Sequence, residues 1–450
     1  MSTSKAELRS GVRAQEQSAS ATLWLWLLLA AGFVLRLLFM GNEGFRNDVS
    51  SFEAWALTLA NHPFSQFYSS TSFADYPPGY FYILWIVGHL YTLLSPHGNL
   101  DVLKYLVKLP AVLMDLADGA LLYAIVRRFA SQMWALGVAA LFVLNPAMIF
   151  ISAAWGQVDS ISSGLALLGV YLLLRSDDER TVTRILLAWV ALAYSLLIKP
   201  QAAVLIPLFI AFAFASQERR RLRLLGTAAG IVAAVLFALV LTVPFHPSGN
   251  PVDAFSWLYG KYNFGKNVYA YNSVNAFNLW SIIHPFWRPD SEPVFFLPQY
   301  GWGILLVGAA TILTLVRYLQ ARTQQALIES AALLTLAFYM LSTRMHERYI
   351  YDGLIFTMAS IPFARRYFWA AAVFSLTLFI NLWYSLLYLN VVTNRTPGVD
   401  AADMWPMLTH PLSLINVAIF FYLGYVFLGQ TGEETTTIAP QSAAPAQAPA

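Results

Sequence analysis

The sequence predicts an all-α polytopic membrane protein, a bundle of about eleven to thirteen transmembrane helices with two long extracytoplasmic loops that carry interfacial helices. Three observations predict it. Of 450 residues, 58% are hydrophobic and only 11% are charged, which is too apolar for a water-soluble domain. Runs such as TLWLWLLLAAGFVLRLLFM at 22–40 recur along the chain. Arginine clusters fall at alternate connections between these runs, the pattern of loops that face the cytoplasm. The net charge of +3 gives no case for a nucleic-acid partner, and the absence of cysteine excludes disulfides and thiolate metal sites.

The run 22–40 follows Lys5, Arg9 and Arg13 and has no small-residue cleavage site, so it reads as an anchor behind a cytoplasmic segment, 1–21. At about 20 apolar residues per span, further spans are expected at 103–127, 134–152, 158–174, 184–199, 202–215, 223–245, 299–318, 325–343, 349–363, 367–391 and 411–429. With the N-terminus inside, Arg127 and Arg128, Arg175 to Arg184, Arg219 to Arg223, Arg317 and Arg322, and Arg365 and Arg366 all lie in cytoplasmic loops. The run 79–95 is one more candidate. Counting it as a full crossing puts most of those arginines outside, so it is read as partial or re-entrant. The hydrophilic segments 41–78 and 246–298, with the stretch 400–406, then face outward, and chemistry is expected there. The transmembrane domain is 22–429. The tail 430–450, rich in Ala, Pro, Thr and Gln, cannot bury a core and reads as a disordered cytoplasmic tail.

Candidate site residues sit at the outward ends of these spans. In RNDVSSFEAWA, 46–56, Phe52, Trp55, Ala56 and Leu59 share one helical face behind Arg46 and Asp48. Asp48 reads either as an N-cap or as a general base at the mouth of an interfacial helix. In ADYPPGYFYILW, 74–85, two prolines follow Asp75 and Tyr76 and rule out a continuing helix, so those two either begin a rigid membrane entry or touch substrate. NPAMIFISAAWGQVDS, 145–160, and LLIKPQAAVLIP, 196–207, bring Gln157, Asp159, Lys199 and Gln201 to helix ends. A lone Lys or Asp at that depth costs roughly 2.5–3.5 kcal/mol, which implies a partner, a wet cavity or a function. Asp159 and Lys199 neutralise each other, or Lys199 meets an anionic ligand. TRMHERYIYDG, 343–353, stacks Arg344, His346, Glu347 and Arg348 at one membrane edge. The arginines there either snorkel or bind phosphate. The loop 257–287 interleaves aromatics with Lys261, Lys266, Asn272 and Asn275, a composition suited to sugar recognition and also to lipid packing.

Taken in order, Asp48 with Trp55, DYPP, WGQVDS, KPQ, YNSVNAFNLW and HERYI resemble the motif series of the GT-C superfamily of polyprenyl-phosphate-sugar-dependent glycosyltransferases. The series resembles that of two related groups, the GPI-anchor second mannosyltransferase with its prokaryotic relatives and the dolichyl-phosphate-glucose-dependent glucosyltransferases of N-glycan assembly. The resemblance spans roughly 40–360 and implies a GT-C-like bundle. It implies that Asp48 is the catalytic acid of the first loop, and that His346, Glu347 and Arg348 stand where the glucosyltransferases carry His-Glu-Lys. The donor it implies is a polyprenyl-phosphate-linked mannose or glucose, and the acceptor an extracytoplasmic glycan or lipid-linked molecule, with no cofactor and no metal. His346, Arg348, Arg344 and Lys199 are then expected at the donor phosphate. Arg46, Asp75, Tyr76, Gln157, Asp159, Gln201, Glu347, Asn272 and Asn275 are expected to bind substrate. Transfer is expected by single displacement with inversion at the outer face of a prokaryotic plasma membrane. The alternative from another class is a transporter or flippase for a lipid-linked or anionic substrate, because buried charges at helix ends also mark transport routes.

Overall fold

A computed structural model of the chain describes residues 22–394 and 405–430. The expected cytoplasmic segment 1–21, most of the outward stretch 400–406 and the tail beyond 430 lie outside the described residues. Apolar runs fold as helices in chain order: α1 Thr22–Met40, α2 Arg46–Asn61, α3 Gly79–Leu94, α4 Leu100–Val126, α5 Gln132–Val143 and α6 Pro146–Trp155. There follow α7 Asp159–Leu174, α8 Thr181–Ile198, α9 Pro200–Phe212, α10 Arg220–Phe245 and α11 Pro251–Val268. The last are α12 Leu279–Ile283, α13 Gln299–Ala321, α14 Gln324–Leu341, α15 Tyr351–Ala359, α16 Arg365–Asn394 and α17 Pro406–Gly429. A hairpin of two-residue strands, Pro293–Val294 and Leu297–Pro298, precedes α13.

Eight of the described helices are long and apolar enough to cross a bilayer, and the α5–α6 pair, bent by 43°, makes a ninth. The bend is a departure from the single span expected at 134–152. It falls at Asn145–Pro146, where proline disfavours a helical residue before it and removes a backbone donor; the Asn145 side chain caps the second half instead. α3, α7 and α9 are shorter apolar helices. The expected span 349–363 appears as the nine-residue α15 and a 3₁₀ turn, buried throughout. Burial sorts the bundle into layers. The most apolar window of α14 is 83% buried and that of α10 only 17%, so α14 forms the centre and α10 presents its apolar surface to lipid.

Charge separates the two ends of the bundle. At one end Arg128 donates to the Leu174 carbonyl, Arg223 pairs with Asp177 at 2.7 Å, and Arg219 donates to the Asp178 carbonyl. At the other end Lys104 pairs with Glu43 at 2.8 Å, and the loops 41–45, 156–158 and 342–350 come together. The arginine-rich connections read from the sequence are therefore gathered opposite the candidate site. Both ends of α3 lie toward the site end. Its Gly79 lies against the Leu197 carbonyl, where any Cβ would fall 2.6 Å from that oxygen. Its C-terminal turn leads within five residues into α4, whose Lys104 holds Glu43. That course matches the partial, non-crossing reading of 79–95. α2 packs along α3, with Val49, Phe52, Trp55, Ala56 and Leu59 inward, the face that its periodicity marks out. α11 buries only Ala254 and Leu258 and leaves Val252, Phe255 and Tyr259 exposed, the pattern of a helix lying on the bundle at the membrane interface.

Candidate active site

Asp48 is placed by a turn that only glycine permits. Between α1 and α2 the chain passes Gly44 at φ +62°, and a Cβ there would lie 2.4 Å from the Trp155 carbonyl oxygen. α2 then starts after Phe45, which makes no side-chain cap, and Asp48 occupies its first turn. The carboxylate does not cap the helix. Its Oδ2 accepts from Trp155 Nε1 at 2.9 Å and from Gln157 Nε2 at 2.5 Å. Both donors fall on the same oxygen. No group among the described residues hydrogen-bonds Oδ1, and Asp48 lines a cavity.

The two donors come from the distorted end of α6 and the turn that follows it. Phe150–Trp155 winds as a π turn that ends at Gly156 with φ +88°, where the Ile151 carbonyl accepts from the N–H of both Gly156 and Gln157. The fully buried Lys108 of α4 closes the turn. Its ammonium donates to the carbonyls of Ala153 and Ala154 at 3.1 and 3.0 Å, and to those of Met40 and Asn42 at 3.1 and 2.6 Å. One cation thus ties the end of α1 to the end of α6. It fixes Asp48 and its two donors relative to each other.

Across the cavity the loop 342–350 carries the cations. It is stitched to the segment 271–290 by Val274 N–H on the Met345 carbonyl at 2.8 Å and Arg344 N–H on the Tyr271 carbonyl at 2.9 Å. Arg348 Nη1 donates to Glu347 Oε1 at 2.5 Å, and its Nε lies 3.6 Å from Asp159 Oδ2. Its guanidinium sits 5.9 Å from the Trp155 ring centre and 5.6 Å from that of Tyr349. Lys199, at the end of α8, pairs with Asp159 Oδ1 at 2.8 Å and reaches Gln157 Oε1 at 3.4 Å. Asp48, Lys199 and Arg348 therefore share one polar network at one end of the bundle. Burial opposes the Arg348 charge, but Glu347, Asp48 and Asp159 outweigh it and keep the guanidinium protonated. Burial, with Arg348 and Lys199 nearby, holds the His346 imidazole well below its usual range, so the ring is neutral at physiological pH. Burial pushes the Asp75 carboxyl up to about 6, with the Asp48 charge adding to it and a backbone N–H, Lys199 and Arg348 opposing it.

The cavity has a volume of about 1020 Å³. Its polar end holds Asp48, Asp75, Lys199 and Arg348. Its other flank, made by Ile304, Val307 and Gly308 of α13 with Phe338 of α14, is apolar. α13 is itself a lipid-facing span, with Ile304 66% exposed, so this flank adjoins the bilayer.

Residues 75–246 match the dolichyl-phosphate-mannose-protein mannosyltransferase family. The match takes in Asp75, Tyr76, the WGQVDS turn, Lys199 and Gln201 but neither Asp48 nor the loop 342–350, and the chain resembles the GT-C glycosyltransferases as its motif order suggests. Two solved structures are similar over most of this chain. ArnT from Cupriavidus metallidurans bound to undecaprenyl phosphate is 14% identical, with 93% of this chain and 78% of that one covered and a TM-score of 0.46. The archaeal oligosaccharyltransferase AglB from Archaeoglobus fulgidus, in complex with an inhibitory peptide and a dolichol-phosphate, is 9% identical. There 91% of this chain spans 56% of that one, with a TM-score of 0.35. No curated protein matches.

The structure brings most of the expected residues to this one cavity: Asp48, Asp75, Tyr76, Lys199, Gln201, Asn275, Arg344, His346, Glu347 and Arg348 line it. Gln157 joins it through Asp48 and Lys199, and Asp159 through Lys199. Two of the lining residues each carry a buried polar atom without a hydrogen-bond partner, Gln201 Oε1 and Asn275 Nδ2. Arg344 is already committed. Its Nε and Nη2 grip Asp290 at 2.6 and 3.2 Å, and its Nη1 donates to the Lys266 carbonyl and Asn267. Asn272 is fully buried between the Pro285 carbonyl and the Arg288 N–H and fixes the 271–290 loop, and Arg46 is exposed away from the cavity wall. Sequence reasoning passed over Trp155 as a donor to Asp48, and the buried Lys108, Arg36, Asp115, Asp118 and Asp352. The signal for the last group was present, since all five are ionisable residues inside apolar helices.

Proposed function

We propose that this protein is a membrane-embedded inverting hexosyltransferase that moves a sugar, mannose before glucose, from a polyprenyl-phosphate-linked donor to a glycan or lipid-linked acceptor. The observation that carries the reading is the clamped carboxylate: Asp48 Oδ2 is held by Trp155 and Gln157, and Oδ1 is left to the cavity opposite the protonated Arg348. In this reading Asp48 Oδ1 takes the proton of an acceptor hydroxyl as its oxygen attacks the anomeric carbon. The bond from that carbon to the phosphate oxygen breaks, and polyprenyl phosphate leaves with the electron pair. Arg348 meets the charge that grows on the phosphate, helped by Lys199 and by a ring N–H of neutral His346. One base and a good leaving group suffice for a single displacement, which inverts the anomeric centre.

The apolar flank along α13 suits a polyprenyl tail that enters from the bilayer, and the name of the matched family pairs a polyprenyl phosphate with mannose. The positive-inside rule favours the extracytoplasmic face of the cell membrane for the site, because the arginine-rich loops gather at the opposite end. The test is incubation of the purified protein with synthetic polyprenyl-phosphate mannose and polyprenyl-phosphate glucose, with a membrane glycolipid extract as the acceptor source. The expected result is consumption of the mannose donor, release of polyprenyl phosphate and a product of inverted anomeric configuration. A product of retained configuration, or counterflow of labelled donor with no glycosidic product, contradicts it.

A further inference from the structure

One buried carboxylate beneath the cavity joins three pieces of the site that are far apart in sequence. Asp115, in the middle of α4, is fully buried and receives three donors. Arg36 Nε reaches its Oδ2 at 2.8 Å, Ser152 Oγ reaches the same oxygen at 2.5 Å, and Tyr351 Oη reaches Oδ1 at 2.8 Å. Each donor belongs to a different arm. Arg36 lies on α1, four residues before Met40, at the end of the helix that delivers the Gly44 turn and Asp48, and its Nη1 also holds the Gly32 and Val143 carbonyls. Ser152 lies inside the π turn, three residues before Trp155 and five before Gln157, the two donors to Asp48. Tyr351 opens α15, and its N–H bonds the carbonyl of Arg348 at 3.0 Å.

We propose that Asp115 is a positioning residue that sets the distance between the general base with its clamp on one side and the phosphate-binding arginine on the other. The inference rests on the hexosyltransferase reading and deepens it. A hydroxyl or carboxylate in an apolar core is retained at a cost, and here three donors converge on one carboxylate without lining the cavity. What they share is the placement of Asp48, of Trp155 with Gln157, and of Arg348. The arms are separable. Removing the Ser152 hydroxyl loosens the clamp and leaves the arginine alone. Removing the Tyr351 hydroxyl loosens the arginine and leaves the clamp alone.

The test compares Ser152→Ala and Tyr351→Phe in the full-length protein in lipid nanodiscs. It measures turnover of polyprenyl-phosphate mannose and, separately, equilibrium binding of a synthetic polyprenyl phosphate. Small displacements of reacting groups carry large rate effects, so Ser152→Ala is expected to lower kcat about tenfold or more, with product binding within about twofold of the parent. Tyr351→Phe is expected to weaken polyprenyl phosphate binding by about tenfold, the loss of one charge-linked hydrogen bond. Ser152→Thr keeps the hydroxyl and is expected to restore turnover. A purely structural role moves both readouts together. Equal shifts of kcat and binding in the two variants, parental values in both, or failure of Ser152→Thr to rescue overturn the proposal. Failure of the underlying reading has its own signature. Parental turnover in Asp48→Asn removes the general base whatever Ser152→Ala does, whereas an inactive Asp48→Asn beside a parental Ser152→Ala overturns only the role of Asp115.

Discussion

Asp159→Asn separates charge balance from shape inside the site. Asp159 Oδ1 lies 2.8 Å from Lys199 Nζ and Oδ2 lies 3.6 Å from Arg348 Nε, and the Asp159 and Lys199 side chains are each only 5% exposed. The substitution leaves a buried ammonium without its paired carboxylate, with only the neutral Asn amide oxygen, Gln157 Oε1 at 3.4 Å and the rings of Tyr76 and Tyr349 at 5.7 and 5.6 Å beside it. Breaking one side of a buried pair costs about 3–5 kcal/mol, and two ring faces offset about 1 kcal/mol of it, so a net loss of roughly 2–4 kcal/mol is expected. Adding Lys199→Met removes the stranded cation with a side chain of similar length, and most of that stability is expected to return. The assay is reversible unfolding in detergent micelles, followed by tryptophan fluorescence, for the parent, Asp159→Asn, Lys199→Met and the double variant. A double variant no more stable than Asp159→Asn alone refutes the reasoning, because it shows that the carboxylate serves something other than the Lys199 charge.

Two further outcomes follow from the same geometry. Gly156→Ala forces a side chain into the left-handed region at φ +88°, with its Cβ 3.0 Å from Lys108 Cε. The conformational cost is about 1–2 kcal/mol, and the displaced Gln157 is expected to lower kcat by about 10², read in a turnover assay against an unchanged donor KM. Asp75, raised to about 6 in the fold from an ordinary value of 3.8, binds a proton in the folded state that the unfolded chain has already released. Its contribution therefore opposes folding as pH rises between those two values and is constant above them. Within the same window Asp75 changes from hydrogen-bond donor to acceptor, so acceptor KM is expected to fall as pH rises through about 6. Asp75→Asn is expected to remove that inflection, and a profile unchanged by Asp75→Asn assigns the inflection elsewhere.

What could be read from the sequence was set by periodicity and by charge. The inward face of α2 follows from the spacing of Phe52, Trp55, Ala56 and Leu59, and the gathering of arginine loops at one end follows from their alternation between apolar runs. The non-crossing course of α3 followed from the same alternation, although its 16 residues alone resemble a short span. Asp48 was legible as important but ambiguous between cap and base. The cap reading falls only in three dimensions, where Trp155 and Gln157, more than 100 positions away, claim its Oδ2. The pairing of Lys199 with Asp159 was one of two readings the sequence left open, the other being Lys199 on an anionic ligand. The commitment of Arg344 to Asp290 was not, because a guanidinium at a membrane edge gives no local sign of which acid it will meet. The bend at Asn145–Pro146 had a local signal that the uniform hydrophobicity around it obscured. The buried group beneath the cavity was signalled by the ionisable residues Arg36, Lys108, Asp115 and Asp118 within apolar runs. Their convergence on the π turn and on α15 depends on packing that no spacing rule supplies.

The central claim is that the Asp48 carboxylate, held by Trp155 and Gln157, is the base of a glycosyl transfer at this cavity. The most direct measurement is single-turnover consumption of polyprenyl-phosphate mannose by purified Asp48→Asn, alongside its equilibrium affinity for the same donor. A rate lower by about 10² to 10⁴ with donor affinity nearly unchanged is expected. A rate close to that of the parent contradicts it.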